Sequence, residues 1–296
     1  MKKVILLSIS LISAITLLLS FSLKKLATPN GGKGIELIEC PPNTISRTPI
    51  SDEAFKKIYG ADIVRVRKNV YNLTTAELNA IKVGIYKMKA LPYTDPTSMA
   101  YQAAIHGTTM TDNLPSWNTC HKSGESSFFF SWHRMYLYFF ERILRAKSGR
   151  EYLALPYWDY QTNPALPPAY RENSPVNPLY DATRNSTINN GGSLPSSIST
   201  AFNTSMAITT YYSFQDNLNS GPHGSVHTTI SGNMAFVNSA AQDPVFWLHH
   251  SNVDRLWEKW LGMCGGRSNP IDATWLNKSY TFFDENGTAV TLTGSQ

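Results

Sequence analysis

Apolar positions along this chain fall into helical stripes separated by polar, turn-rich stretches. Thr74 and Glu77 form a capping-box pattern, and Leu78, Ile81, Ile85 and Met88 follow at helical spacing, predicting an amphipathic helix to about Ala90. Asp95-Pro96 is a second start signal, a cap followed by a residue with no N–H to satisfy, for a helix running to about Thr109. From Ser127 to Lys147 the apolar positions run almost all round: Phe128, Phe129, Phe130, Trp132, Met135, Leu137, Phe139, Phe140, Ile143 and Leu144. Only Arg134, Tyr138, Glu141 and Arg145 interrupt them, so this helix belongs in the middle of a domain. Gly149 suits its end. Residues 161–221 are rich in Pro, Asn, Ser and Thr without clear periodicity, and predict long loops with little regular structure. A short helix is expected from Pro222 to about Ile230, ended by Gly232, and a capped one from Pro244 to Leu261. Tyr280, Phe282 and Phe283, the turn residues Asp284 to Gly287, then Val290 and Leu292 predict a hairpin within 273–293.

The N-terminus changes how the composition reads. Lys2 and Lys3, an apolar run from Val4 to Leu23, then Lys24 and Lys25 mark residues 1–27 as a targeting segment, with Ala27 a candidate cleavage point. The run is also about as long as a bilayer is thick, so an uncleaved membrane anchor is the alternative. Both readings make the protein exported, secreted or periplasmic. The net charge of +5 belongs mostly to this segment, since the remainder carries 22 basic and 21 acidic side chains. That balance leaves no nucleic-acid footprint. Residues 28–62 form an irregular lead-in with PP, GG and TP turn signals. Cys40, Cys120 and Cys264 allow one disulfide and a leftover thiol, with the pairing open.

Six of the seven histidines make two sets of three: His106, His121 and His133, then His223, His227 and His250. His223 and His227 stand one helical turn apart, and His250 lies on the helix capped by Asp243, with Asp254 one turn further on the same face. A His-x-x-x-His pair alone is a weak signal, because such pairs arise by chance; joined to the DPVFWLHH segment it gains weight. His249 points about 100° away from His250 around the helix, so the two do not easily share one metal. Neutral imidazole suits zinc, copper, iron and nickel alike. Di-iron bundles add several Glu and Glu-x-x-His pairs, and zinc hydrolases mix His with Asp, Glu or Cys. An all-histidine, three-plus-three set points instead to two copper ions. The expected fold is mainly α, a four-helix bundle core holding the dinuclear site, with long irregular loops and a small C-terminal β-hairpin.

These motifs resemble those of the type-3 copper family: tyrosinases, catechol oxidases and molluscan hemocyanins. The pattern D-P-x-F-aromatic-x-x-H-x-x-x-D is met at Asp243, Pro244, Phe246, Trp247, His250 and Asp254. The pattern F-x-x-W-H-R-x-x-L-x-x-x-E is met at Phe129, Trp132, His133, Arg134, Leu137 and Glu141. P-H-x-x-x-H stands at Pro222, His223 and His227, and P-Y-W-D at Pro156 to Asp159. The resemblance runs from about Val64 to Trp260. It implies a dicopper catalytic domain over 63–264, with 265–296 as an extension packed on the same domain.

The resemblance assigns His106, His121 and His133 to the first copper and His223, His227 and His250 to the second, leaving His249 a supporting or packing place. His121 stands twelve residues before His133, where the commonest family pattern has about nine, which implies a short insertion within 122–127. Asp254 is left with three readings: taking a proton from a ligand, anchoring its helix, or pairing with Arg255 or Arg134. The implied reaction oxidises o-diphenols to o-quinones with O2. Val237 stands where plant catechol oxidases often have a bulky Phe, which leaves the entrance open to monophenols. Yet Asn219 replaces the family's water-holding Glu and Gly224 a frequent Asn, which implies weak monophenol hydroxylation. Two further classes stand beside this reading, a reversible O2 carrier and a zinc hydrolase. No residue pattern identifies a metallochaperone.

Overall fold

The computed structural model describes residues 65–107 and 128–295. The targeting segment, the lead-in, Cys40, Cys120 and His121 lie outside the described residues.

Helix α1 (Thr75–Lys89) starts on a complete capping box: Glu77 N donates to Thr74 Oγ1 at 3.2 Å and Thr74 N donates to Glu77 Oε2 at 2.8 Å. It lies against the central helix so closely that a Cβ on Gly84 would stand 2.5 Å from Leu144 Cδ1. Helix α2 (Met99–Gly107) begins later than Asp95-Pro96 predicts. Asp95 closes a turn instead, accepting from Thr97 N and Oγ1, while Gln102 Nε2 draws the Pro96 carbonyl out of the helical ladder at 2.7 Å. Ser98 then caps, accepting from Tyr101 N at 3.0 Å. Helix α3 (Phe129–Ser148) is the buried central rod, closed by Gly149 in the left-handed region at φ 68°. Three of its four stripe residues go into ion pairs, with Arg145 on Glu141 at 2.7 Å and Arg134 on Asp254 at 2.6 Å.

The stretch 161–221 corrects the expectation of structureless loops. It holds short helices at Pro168–Arg171 and Ser186–Asn189, then α4 (Ser196–Ala207) and α5 (Tyr211–Leu218). Ile198, Phe202 and Met206 recur every four residues, but Ser, Thr and Asn between them have low helix propensity, so packing decides the outcome. Phe202 meets Tyr160 at 5.1 Å, and Phe214 stacks on Trp260 at 4.6 Å. From α5 the chain runs without a break through a π-helical turn (Asn219–His223) into α6 (Gly224–Ile230), so no new helix starts at Pro222. Such one-turn π segments are frequent where a side chain must be re-aimed.

Helix α7 (Pro244–Leu261) has the predicted bounds, with Asp243 accepting from Val245 N at 2.8 Å. Strands β1 (Ser279–Phe283) and β2 (Ala289–Thr293) pair antiparallel, from Ser279 opposite Thr293 to Phe283 opposite Ala289. Their turn uses Gly287 at φ 76° and the Asp284 carboxylate, which accepts from Asn286 N and Thr288 N. Cys264 is disulfide-bonded. Among the described residues no helix is long and apolar enough to cross a membrane.

Candidate metal centre

Four stretches of helix carry histidines to one place: α2 brings His106, α3 His133, the π turn and α6 His223 and His227, and α7 His249 and His250. Two overlapping clusters result, His106 with His133 and His250, and His223 with His227, His249 and His250. In each the ligand atoms lie within 4.8 Å of one another.

Backbone oxygens fix the rings. Nδ1 of His106 meets the Val237 carbonyl at 2.8 Å, His133 the Phe129 carbonyl at 2.8 Å, His223 the Asn219 carbonyl at 3.0 Å, and His227 the Met234 carbonyl at 2.7 Å. A carbonyl only accepts, so in a neutral ring Nδ1 carries the proton and Nε2 keeps its lone pair. Those Nε2 atoms converge: His106 on His133 at 3.3 Å, and His223 and His227 each on His250 at 3.4 Å. Burial pushes His227 down to about 4 and His249 and His250 well below the ordinary histidine value, which keeps these three rings neutral. Opposed lone pairs without protons between them repel, and a cation placed among them removes the repulsion. The cluster therefore has the chemistry of a metal cage.

Aromatic rings wall it in. Phe129 packs on His133 and His223 at 4.6 and 4.8 Å, and Phe246 on His250 and His106 at 4.1 and 4.8 Å. The site is thus apolar apart from the nitrogens. Val237 and Phe236 stay 45% and 64% exposed on the loop whose carbonyls hold His106 and His227.

His249 is fully buried, lies face to face with His223 at 5.2 Å, and its two ring nitrogens meet no hydrogen-bond partner among the described residues. Asp254 takes Arg134 Nε at 2.6 Å and Arg67 Nη1 at 2.9 Å. Arg255 goes to Asp159 and Asn252 instead. The Asn219 carbonyl serves His223, and a Cβ on Gly224 would meet only ordinary van der Waals contact, with Asn219 O at 3.7 Å. The orienting carbonyls of Met234, Val237 and Phe129 had no sequence signal, because every residue carries one.

The family described as the common central domain of tyrosinase matches residues 96–206 and 181–263, more than half of the chain. The chain belongs to the tyrosinase family. Tyrosinase HcTyr1 of Hahella sp. (strain CCB-MM4) is 32% identical over 77% of this chain and 60% of its own length. The latent chloroplastic polyphenol oxidase of Prunus armeniaca is 30% identical over 89% of this chain and 50% of its own. The chain thus spans about half to three-fifths of these relatives. Among solved structures, Grenache (Vitis vinifera) polyphenol oxidase superposes with a TM-score of 0.67 at 29% identity, covering 78% of this chain and 81% of that one. A functional unit of octopus hemocyanin shares the fold at 24% identity and a TM-score of 0.57. Tyrosinase-family centres are dinuclear copper, and the donor set here fits that cofactor: imidazoles in two adjoining groups, buried among aromatic side chains.

Proposed function

We propose that this protein is a type-3 copper polyphenol oxidase that oxidises o-diphenols to o-quinones with O2, with weak monophenol hydroxylation. In this reading His106, His121 and His133 hold the first copper and His223, His227 and His250 the second. Two catechols give up four electrons and four protons to one O2, leaving two quinones and two waters. When bound there, a copper pair would supply the redox chemistry between the phenolic substrate and O2.

The residues do the rest. Backbone carbonyls keep four imidazoles in the tautomer that presents Nε2, so no proton competes for those lone pairs. Phe129 and Phe246 exclude water from the cage. The observation that carries the reading is the convergence of these Nε2 atoms from four separate helical stretches. Exposed Phe236 and Val237 beside the cage favour an enzyme over an O2 carrier, because a carrier must keep phenols out. Export rests on the Lys-flanked apolar run at the N-terminus.

Copper analysis together with oxygen uptake on 4-tert-butylcatechol tests the assignment. The expected result is two coppers per chain, rapid uptake with the catechol and slow uptake with L-tyrosine. Fewer than two coppers, or comparable rates on L-tyrosine and L-DOPA, would contradict the corresponding part. His121→Ala should abolish first-site occupancy and turnover together.

A further inference from the structure

We propose that Gly107, which has no chemistry of its own, is a positioning residue for both halves of the metal centre, acting through the segment 232–238. The inference rests on reading the histidine clusters as the copper cage.

Two carbonyls of this one segment orient one imidazole in each cluster. Met234 O accepts from His227 at 2.7 Å, and Val237 O, three residues on, accepts from His106 at 2.8 Å. The segment is anchored at its far end. Asn233 Nδ2 donates to Asp181 Oδ2 at 2.8 Å and Asn233 N to Thr183 Oγ1 at 3.1 Å. Ser231 at φ 65° and Gly232 at φ 59° turn the chain back from α6 toward α2. Ser239 Oγ donates to the Asn233 carbonyl at 2.9 Å and closes the segment on itself.

Its near end lies against Gly107, the last residue of α2 and the neighbour of His106. A Cβ at Gly107 would stand 2.5 Å from Val237 C, Val237 O and Asn238 Cα. These are backbone atoms, which cannot swing aside as a flexible side chain would. Any larger residue therefore displaces the segment and with it the Val237 carbonyl. Because Met234 shares the same short segment, the displacement reaches His227 as well. Gly107 lets one strap of backbone serve two metal sites.

Release of copper(I) from the full-length holoprotein to bicinchoninate tests this, with His106→Ala as reference for loss at the first cluster only. Gly107→Ala is expected to weaken both ions in parallel by about 10-fold, the usual cost of disturbing groups that orient ligands. Asn233→Ala, which removes the side-chain half of the far anchor without any clash, should do the same more mildly and decides the matter if Gly107→Ala fails to fold. Wild-type release from either cluster in a folded variant overturns the proposal. So does a lowered melting temperature of the metal-free chain with unchanged release. If the wild-type protein itself binds fewer than two coppers, it is the reading of the cage that fails.

Discussion

A buried neutral imidazole is the unit from which this centre is built, and its titration sets a pH limit on the metal-free chain. His227 is held at about 4, below its ordinary 6.5, and burial depresses His249 and His250 in the same direction. Above the ordinary value the rings are neutral in both folded and unfolded chains, so they contribute no pH dependence. As the pH falls from 6.5 toward 4, the unfolded chain takes up protons that the folded rings refuse, and stability is lost through that window. Urea melts of the copper-free protein at several pH values across it should show this decline; a flat profile would contradict it. At this scale the side chains were legible and their holders were not. His106, His133, His223, His227 and His250, which the resemblance assigned to metal, lie together in the structure. For His133 and His223 the orienting carbonyl is the one four residues back on the same helical stretch, whereas for His106 and His227 it depends on the path of the loop 232–238, which no residue type announces.

Helix α7 depends on its first residue, and that residue depends on a segment read as loop. Asp243 caps the helix and is gripped at both oxygens by Arg184, Nε at 2.7 Å and Nη2 at 2.6 Å, with both side chains fully buried. Arg184 also donates to the Tyr170 and Leu179 carbonyls, tying 161–221 to the start of the helix that carries His250. Arg184→Met should cost about 3–5 kcal/mol in denaturant melts, because it strands a buried carboxylate. A loss below about 1 kcal/mol would show that the carboxylate finds another partner or takes up a proton. The two Asp-Pro signals show where local reading stops. Both Asp residues accept from the N–H two positions on, yet only Asp243 opens a helix at once. The difference is long-range at Asp243, where Arg184 holds the carboxylate, and lies at Asp95 in a competing turn that Gln102 stabilises. The helices α4 and α5 escaped for a related reason. Their apolar residues are correctly spaced, but only the aromatic partners Tyr160 and Trp260 make that spacing worth more than the weak propensity of its neighbours.

Across the whole molecule, the C-terminal hairpin leans on the central helix rather than standing apart. Phe282 is fully buried against Trp132, Tyr136 and Phe139 at 5.3, 5.7 and 5.8 Å. Tyr280 Oη lies 3.0 Å from Ser131 Oγ, and Glu285 in the turn pairs with Arg142 at 2.6 Å. Phe282→Ala should destabilise the protein by about 3–5 kcal/mol in thermal or denaturant melts, as large-to-small changes in a close-packed core do. A loss near zero would mean the hairpin is not part of the core. The turn residues made this hairpin legible, while its target on α3 was not, since apolar faces do not specify which face they meet. Trp132 has a second set of neighbours, His133 at 5.0 Å and His106 at 5.9 Å. One indole thus stands as a shared wall between a ribbon of sheet and the copper chamber. Slackening the tail would therefore reach the imidazoles through that indole.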